Sequence, residues 1–196
     1  ELPKDAKVRN IEINEYSVQF FITEDDKLYV GGINRDSMGL FDKTGFRWGF
    51  LYAIRGFLGR TNNPVLFAEN VAQVFEATDG ATDKGFLYTD LNGTLYYFGS
   101  ATKGNSVKIA EDVKGATACN RTIFYVTSFG DLYQKFLDGT DAVIIGKNVA
   151  DVYTNGSAIR IVDSTGEVYQ IDTRSPSCQT YNTQGGSVVK AVRNDY

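Results

Sequence analysis

One short pattern recurs four times along this chain, and it limits the fold more than any other feature. An apolar stretch runs into a polar turn, and the turn is followed by Leu or Val and then Tyr. The four copies are Thr23-Glu24-Asp25-Asp26-Lys27-Leu28-Tyr29, Asp90-Leu91-Asn92-Gly93-Thr94-Leu95-Tyr96, Thr127-Ser128-Phe129-Gly130-Asp131-Leu132-Tyr133 and Asp163-Ser164-Thr165-Gly166-Glu167-Val168-Tyr169. The preceding stretches, Ser17–Ile22, Gly85–Tyr88, Thr122–Val126 and Ala158–Val162, are rich in aromatic and β-branched residues, as strands are. Each copy therefore reads as a β-hairpin. Asn92-Gly93 is a two-residue turn signal, Phe129-Gly130 and Thr165-Gly166 supply a glycine, and Asp25-Asp26 is a weaker substitute.

A second marker precedes each hairpin, as an apolar pair three residues apart. Its instances are Val8/Ile11, Val71/Val74, Val113/Ala116 and Val149/Val152, with a fifth at Val189/Val192. Each reads as the first, inner strand of a unit whose last strand returns after the hairpin, as at Val107–Ile109 and Ala142–Ile145. Strand units that repeat every ~40–50 residues are the signature of propeller blades. The expected fold is all-β, a β-propeller of about four blades plus the first strand of a fifth. The repeats are placed at 8–70, 71–112, 113–148 and 149–188, with an insertion at 41–63 in the first.

The units resemble repeats of the regulator of chromosome condensation family. Blade one has Leu28-Tyr29, Gly32, Asn34 and Pro64, and blade two has Leu95-Tyr96, Phe98-Gly99 and Gly104. The later blades keep little beyond the hairpin. The family's second-strand histidine is absent throughout, and its Gly-Gln-Leu-Gly signature is reduced to Ser37-Met38-Gly39-Leu40. The resemblance implies a propeller scaffold more firmly than any one activity. That family has seven blades, so this chain is part of a longer propeller, a compact four-bladed ring closed by Val188–Asp195, or an arc completed by self-assembly or another chain. It opens on Glu1 rather than Met, which fits a removed leader or an excerpt of something longer.

Composition narrows function by exclusion. The chain has no histidine, which removes His-based acid–base chemistry, Ser-His-Asp and Cys-His arrangements and most zinc or haem sites. No phosphate-cradling glycine loop or activated nucleophile is visible, so neither enzymatic activity nor a cofactor is expected. The net charge of −4, without a basic tract, argues against nucleic acid as a partner. No apolar run is long enough to span a bilayer as a helix. Glu24-Asp25-Asp26 and Glu111-Asp112 lack the alternating oxygen ligands of a calcium loop and read as solvated turn charges, so no metal is expected.

The exception to the acidic character lies between Lys43 and Arg60, which carries four positive charges and no negative one, together with the only tryptophan. Arg47, Trp48, Phe50, Tyr52, Arg55 and Phe57 are residue types that dominate interface hot spots. They form the candidate binding site, weighed against an inserted element that packs on its own propeller. Cys119 and Cys178 can pair if the chain is exported, or sit as two small buried thiols. Asn92, Asn120 and Asn155 head glycosylation sequons. These features lean towards a secreted or cell-surface location without fixing it. The expected function is a non-enzymatic protein-binding or scaffolding module. A guanine nucleotide exchange regulator of a small GTPase and a secreted adhesin, lectin-like protein or enzyme inhibitor stand as alternatives.

Overall fold

The computed structural model describes residues 2–13, 18–32, 64–78, 85–119, 122–155, 158–172 and 180–187. They form sixteen β-strands and one 3-10 turn at Ser100–Thr102. Strands follow one another in four antiparallel runs of four: β1(Val8–Ile13) to β4(Val65–Ala68), β5(Val71–Thr78) to β8(Val107–Ala110), β9(Val113–Cys119) to β12(Val143–Gly146), and β13(Val149–Asn155) to β16(Thr180–Ser187). The fold is all-β, and each run is a propeller blade. Val189 and Val192 lie outside the described residues.

The middle two strands of each blade are the repeated hairpin. β2(Val18–Thr23) pairs with β3(Leu28–Gly32), β6(Gly85–Asp90) with β7(Leu95–Gly99), β10(Thr122–Thr127) with β11(Leu132–Phe136), and β14(Ala158–Asp163) with β15(Glu167–Asp172). Ile22 faces Leu28, Thr89 faces Leu95, Val126 faces Leu132 and Val162 faces Val168, so one register holds in all four.

The turn differs from a two-residue hairpin. Three residues lie between the head of the turn and the residue that closes it, at Thr23/Lys27, Asp90/Thr94, Thr127/Asp131 and Asp163/Glu167, and only the last of the three takes positive φ: Asp26 at 59°, Gly93 at 76°, Gly130 at 86° and Gly166 at 89°. The amide at that position donates to the carbonyl of the first turn residue, as Gly93 does to Asp90 at 3.0 Å and Gly130 to Thr127 at 2.9 Å. This is a type I turn closed by a left-handed residue, which suits the twist of the flanking strands. The side chain at the head of the turn completes it. Thr23 Oγ1 accepts the Lys27 amide, Asp90 Oδ1 those of Asn92 and Thr94, Thr127 Oγ1 that of Asp131, and Asp163 Oδ1 those of Thr165 and Glu167. Thr and Asp suit this place because a short side chain carries its acceptor oxygen one or two bonds from Cβ, within reach of these amides.

The chain divides into two compact units. The first comprises Glu1–Val74 and Asp83–Ile109. Its core joins Val18, Phe20 and Ile22 of β2 to Val71 and Val74 of β5 and to Phe86 of β6. Alternation along β2 buries Phe20 and Ile22 on one face and leaves Phe21 half-buried on the other, as a pleated strand requires. Phe67 sits edge-on to Phe86, Tyr88 and Phe98, with centroids 5.1, 5.7 and 4.8 Å away. The second unit comprises Phe75–Thr82 and Ala110–Tyr196. Its core joins Phe124 and Val126 of β10 to Val149 and Val152 of β13 and Ile159 of β14. Within this unit Ala77 and Thr78, at the end of β5, run parallel to Ala118 and Cys119 of β9.

The inner-strand marker behaves as packing residues in three blades, where Val71, Val74, Val113, Ala116, Val149 and Val152 are buried. In β1 it does not: Ile11 is 56 % exposed. Val74 and Val152 are covered by the hairpins of blade one and blade three respectively, and Ile11 has no such cover among the described residues.

Candidate functional site

Arg47, Trp48, Phe50, Tyr52, Arg55 and Phe57 lie outside the described residues, and so does the whole connection from 33 to 63. Its anchors are defined. Gly32 closes β3 opposite Val18, and Val65 opens β4 opposite Val30. The connection therefore leaves and re-enters blade one at the end opposite the Thr23–Leu28 turn. In blade two the same position holds only Ser100–Ser106, and in blade three only Leu137–Ala142.

The hairpin turns form the best-defined exposed loops. In blade one the turn is fully ion-paired: Glu24 lies 3.9 Å from Lys7, Asp25 2.6 Å from Lys27, and Asp26 2.9 Å from Arg9. Hydrogen bonds from Lys27 and from the Thr23 hydroxyl hold the Asp25 carboxyl below its ordinary value. A cleft of about 330 Å³ beside it is lined by Pro3, Asp5, Lys7, Glu24, Lys27 and Tyr29 among others. Glu24 and Asp25 face Lys7 and Lys27 there, and no group of three or more His, Cys, Asp or Glu side chains suited to a metal occurs among the described residues.

The other turns differ at their tips. Leu91 is exposed in blade two. In blade three Phe129 is 82 % exposed, at the turn position that holds Asp25, Asn92 and Thr165 elsewhere. Three constraints fix the backbone beneath it. The Gly130 amide donates to Thr127, the Ser128 amide to the carbonyl of Asp112 at 2.7 Å, and Val149 to the carbonyl of Gly130 at 2.9 Å. A phenylalanine held clear of the surface on a rigid turn carries apolar area available to a partner, worth roughly 1.5–3 kcal/mol when fully buried. In blade four the Asp163 carboxyl is lowered by the Thr165 hydroxyl and by the amides of Glu167 and Thr165, while hydrogen bonding to Glu167 pushes the Tyr169 hydroxyl up to about 12.

The repeated tyrosines are packing residues. Tyr96 stacks on Tyr88 and Tyr133 on Tyr125, both at 5.1 Å between centroids, with interplanar angles of 16° and 4°. Burial raises the hydroxyl pKa of Tyr88 and Tyr125. Tyr169 packs against the core of the second unit.

Besides Phe129, sequence reasoning missed two sets of residues. The first precedes the inner strands: Asn70, Asp112 and Asn148 all have φ between 55° and 58°. Their carbonyls accept the amides of Leu91, Ser128 and Ser164, tying each turn to the start of its own blade. The signal was the repeated Asn/Asp-Val pair, since these side chains tolerate the left-handed region best after glycine. The second set is cationic. Arg9 donates to the carbonyls of Thr23, Val71 and Ala72, and Lys114 to that of Val149 at 3.0 Å. Both follow the first valine of an inner strand and reach the first residue of the next inner strand.

Cys119 is buried, and Cys178 lies outside the described residues. Asn92 is exposed at its turn, Asn120 lies outside the described residues, and Asn155 ends β13. No helix among the described residues is long and apolar enough to cross a membrane.

No protein-family model matches the chain. No curated protein matches it either. Solved structures do. Human WBSCR16 superposes with a TM-score of 0.60 at 16 % identity, over 88 % of this chain and 50 % of that one. Prp20p from Saccharomyces cerevisiae, described with its binding properties to Gsp1p and histones, gives 0.60 at 12 % identity over 86 % and 46 %. A structure of Kap60 bound to yeast RCC1 (Prp20) gives 0.60 at 13 % identity over 87 % and 45 %. The chain has the RCC1-like β-propeller fold and spans about half the length of the structures it matches.

Proposed function

We propose that this RCC1-like propeller chain is a non-enzymatic module that binds another protein through its loops, with the repeats at 8–70, 71–112, 113–148 and 149–188 as its structural units. The observation that carries this reading is Phe129, which is 82 % exposed at the tip of a turn whose backbone is tied down on both sides. Such a side chain buries little of its area in its own fold and offers a preorganised apolar anchor, so little ordering entropy opposes binding. The aromatic, basic segment with Arg47, Trp48, Phe50, Tyr52, Arg55 and Phe57 supplies a second contact region. Prp20p is described as binding Gsp1p and histones, and yeast RCC1 as bound to Kap60, which supports a protein as the kind of partner.

The test compares affinity capture by the wild-type chain with capture by Phe129→Ser and by Trp48→Ala/Arg55→Ala. A protein retained by the wild type and lost from both variants, with thermal stability of the variants unchanged, supports the proposal. Loss of folding in Trp48→Ala/Arg55→Ala, together with undiminished capture by Phe129→Ser, refutes it. A nucleotide-release assay on small GTPases tests the exchange alternative directly.

A further inference from the structure

We propose that β12, Val143–Gly146, is a self-complementary edge through which two copies of this chain pair antiparallel. β12 is the outer strand of blade three, and among the described residues only β11 lies beside it. Among the described residues no strand pairs with its other side, which leaves a row of main-chain amides and carbonyls that another strand can complete.

The three outer strands with described side chains handle this exposure differently. β4 is entered through Pro64, which donates no ladder hydrogen bond, and β8 carries Lys108 within the strand. Proline and lysine are the residues that blunt an open edge. β12 has neither. Val143, Ile144 and Ile145 are consecutive and 60, 47 and 38 % exposed.

The sequence around the strand identifies the occupant. It reads Asp141-Ala142-Val143-Ile144-Ile145-Gly146-Lys147. When two copies run antiparallel about Ile144, Ile144 faces itself, Val143 faces Ile145, Ala142 faces Gly146 and Asp141 faces Lys147. The apolar residues coincide at the centre, and opposite charges meet at both ends. Asp141 and Lys147 are both exposed, so each is accessible to the second copy. Directly opposed β-branched residues and opposite charges are the pairs that stabilise an antiparallel ladder, and the two-fold symmetry counts each off-axis pair twice. A parallel arrangement in register would instead set Asp141 against Asp141 and Lys147 against Lys147. The register shift between Leu132 and Tyr133, where β11 meets β12, twists this edge, and the strand is four residues long, so the association is weak and reversible.

The experiment uses this chain alone: light scattering coupled to size exclusion over a concentration series, for the wild type, Ile144→Lys, Lys147→Asp and Asp141→Lys/Lys147→Asp. The wild type is expected to self-associate with rising concentration, and Ile144→Lys to remain monomeric. Lys147→Asp, which sets aspartates opposite each other at both ends, weakens association about ten-fold. The double exchange restores it. Because all three positions are exposed, unchanged thermal unfolding accompanies each variant. A wild type that stays monomeric at every concentration, association indifferent to Ile144→Lys, or a double exchange no better than Lys147→Asp each overturns the proposal.

Discussion

The amide of Val149 donates to the carbonyl of Gly130 at 2.9 Å, and the amide of Val71 donates to the carbonyl of Asp26 at 2.8 Å. These are the same bond at equivalent places, joining the left-handed turn residue of one blade to the first inner-strand residue of the next. The turn is thus both the end of a hairpin and the seat of the following blade, and substitutions there act on both.

Gly130→Ala separates these two effects when set beside Gly139→Ala. Both glycines have φ near 90°, where a side chain is strained. A Cβ at Gly139 meets nothing within 4 Å, whereas one at Gly130 comes within 3.3 Å of the Val149 carbonyl oxygen. Gly139→Ala is expected to cost about 1 kcal/mol and Gly130→Ala about 2 kcal/mol or more in urea unfolding.

Gly85→Ala is expected to be worse than either, although its φ is ordinary. A Cβ there falls 2.5 Å from Tyr97 Oη and 2.7 Å from the Phe98 carbonyl oxygen, and a backbone atom cannot swing aside. Forced shifts in a packed strand cost about 1–3 kcal/mol, read as a lowered midpoint of thermal unfolding.

Arg9 tests the cationic ties between inner strands. Arg9→Ala is expected to cost about 1–2 kcal/mol, after allowing for partial exposure of its ion pair with Asp26. Arg9→Lys should recover only part of this, because one ammonium cannot match a guanidinium that reaches Thr23, Val71 and Ala72 together.

The turns make stability depend on pH at both extremes. Asp25, Asp138 and Asp163 have folded-state pKa values below 3.8, so the unfolded chain binds protons first on acidification. Their contribution is complete above that value and is lost as pH falls through the folded values. Tyr169 has the opposite sign. Its hydroxyl titrates at about 12, so its contribution is complete below pH 10 and disappears as pH rises from 10 to about 12. Asp163→Ala is expected to move the acid-unfolding midpoint towards neutral pH, and Glu167→Gln to bring phenolate formation at Tyr169 to lower pH in an absorbance titration.

Tyr125 and Tyr133 test the packing role of the repeated aromatic pair. Tyr125→Ala empties a buried site and is expected to cost about 3 kcal/mol in urea unfolding. Tyr133→Phe retains the stacked ring and should stay close to wild type.

The hairpins were legible because their information is local. Thr or Asp at the head, glycine at the left-handed position and Leu/Val-Tyr on the returning strand specify turn and register within seven residues, and the structure keeps that register in all four copies. The loop length was not legible. Asn92-Gly93 suits a two-residue turn as well as the three-residue one found, in which the Leu91 amide also reaches the carbonyl of Asn70, well before it in the chain. Of the candidate site, the aromatic and basic residues from Arg47 to Phe57 were visible as composition and lie outside the described structure. Phe129 was overlooked, because a turn phenylalanine is unremarkable until the repeats are aligned and its exposure is known.

That this chain is built from β-hairpins in tandem can be read from its residues alone, since turn chemistry and strand alternation depend on neighbours a few residues apart. Which valines are core, which carbonyl each turn amide meets, and why Ile11 is exposed while Val74 and Val152 are buried emerge from the packing of the folded chain. Those outcomes depend on what the adjacent blade presents, and that surface is assembled from residues dozens of positions away.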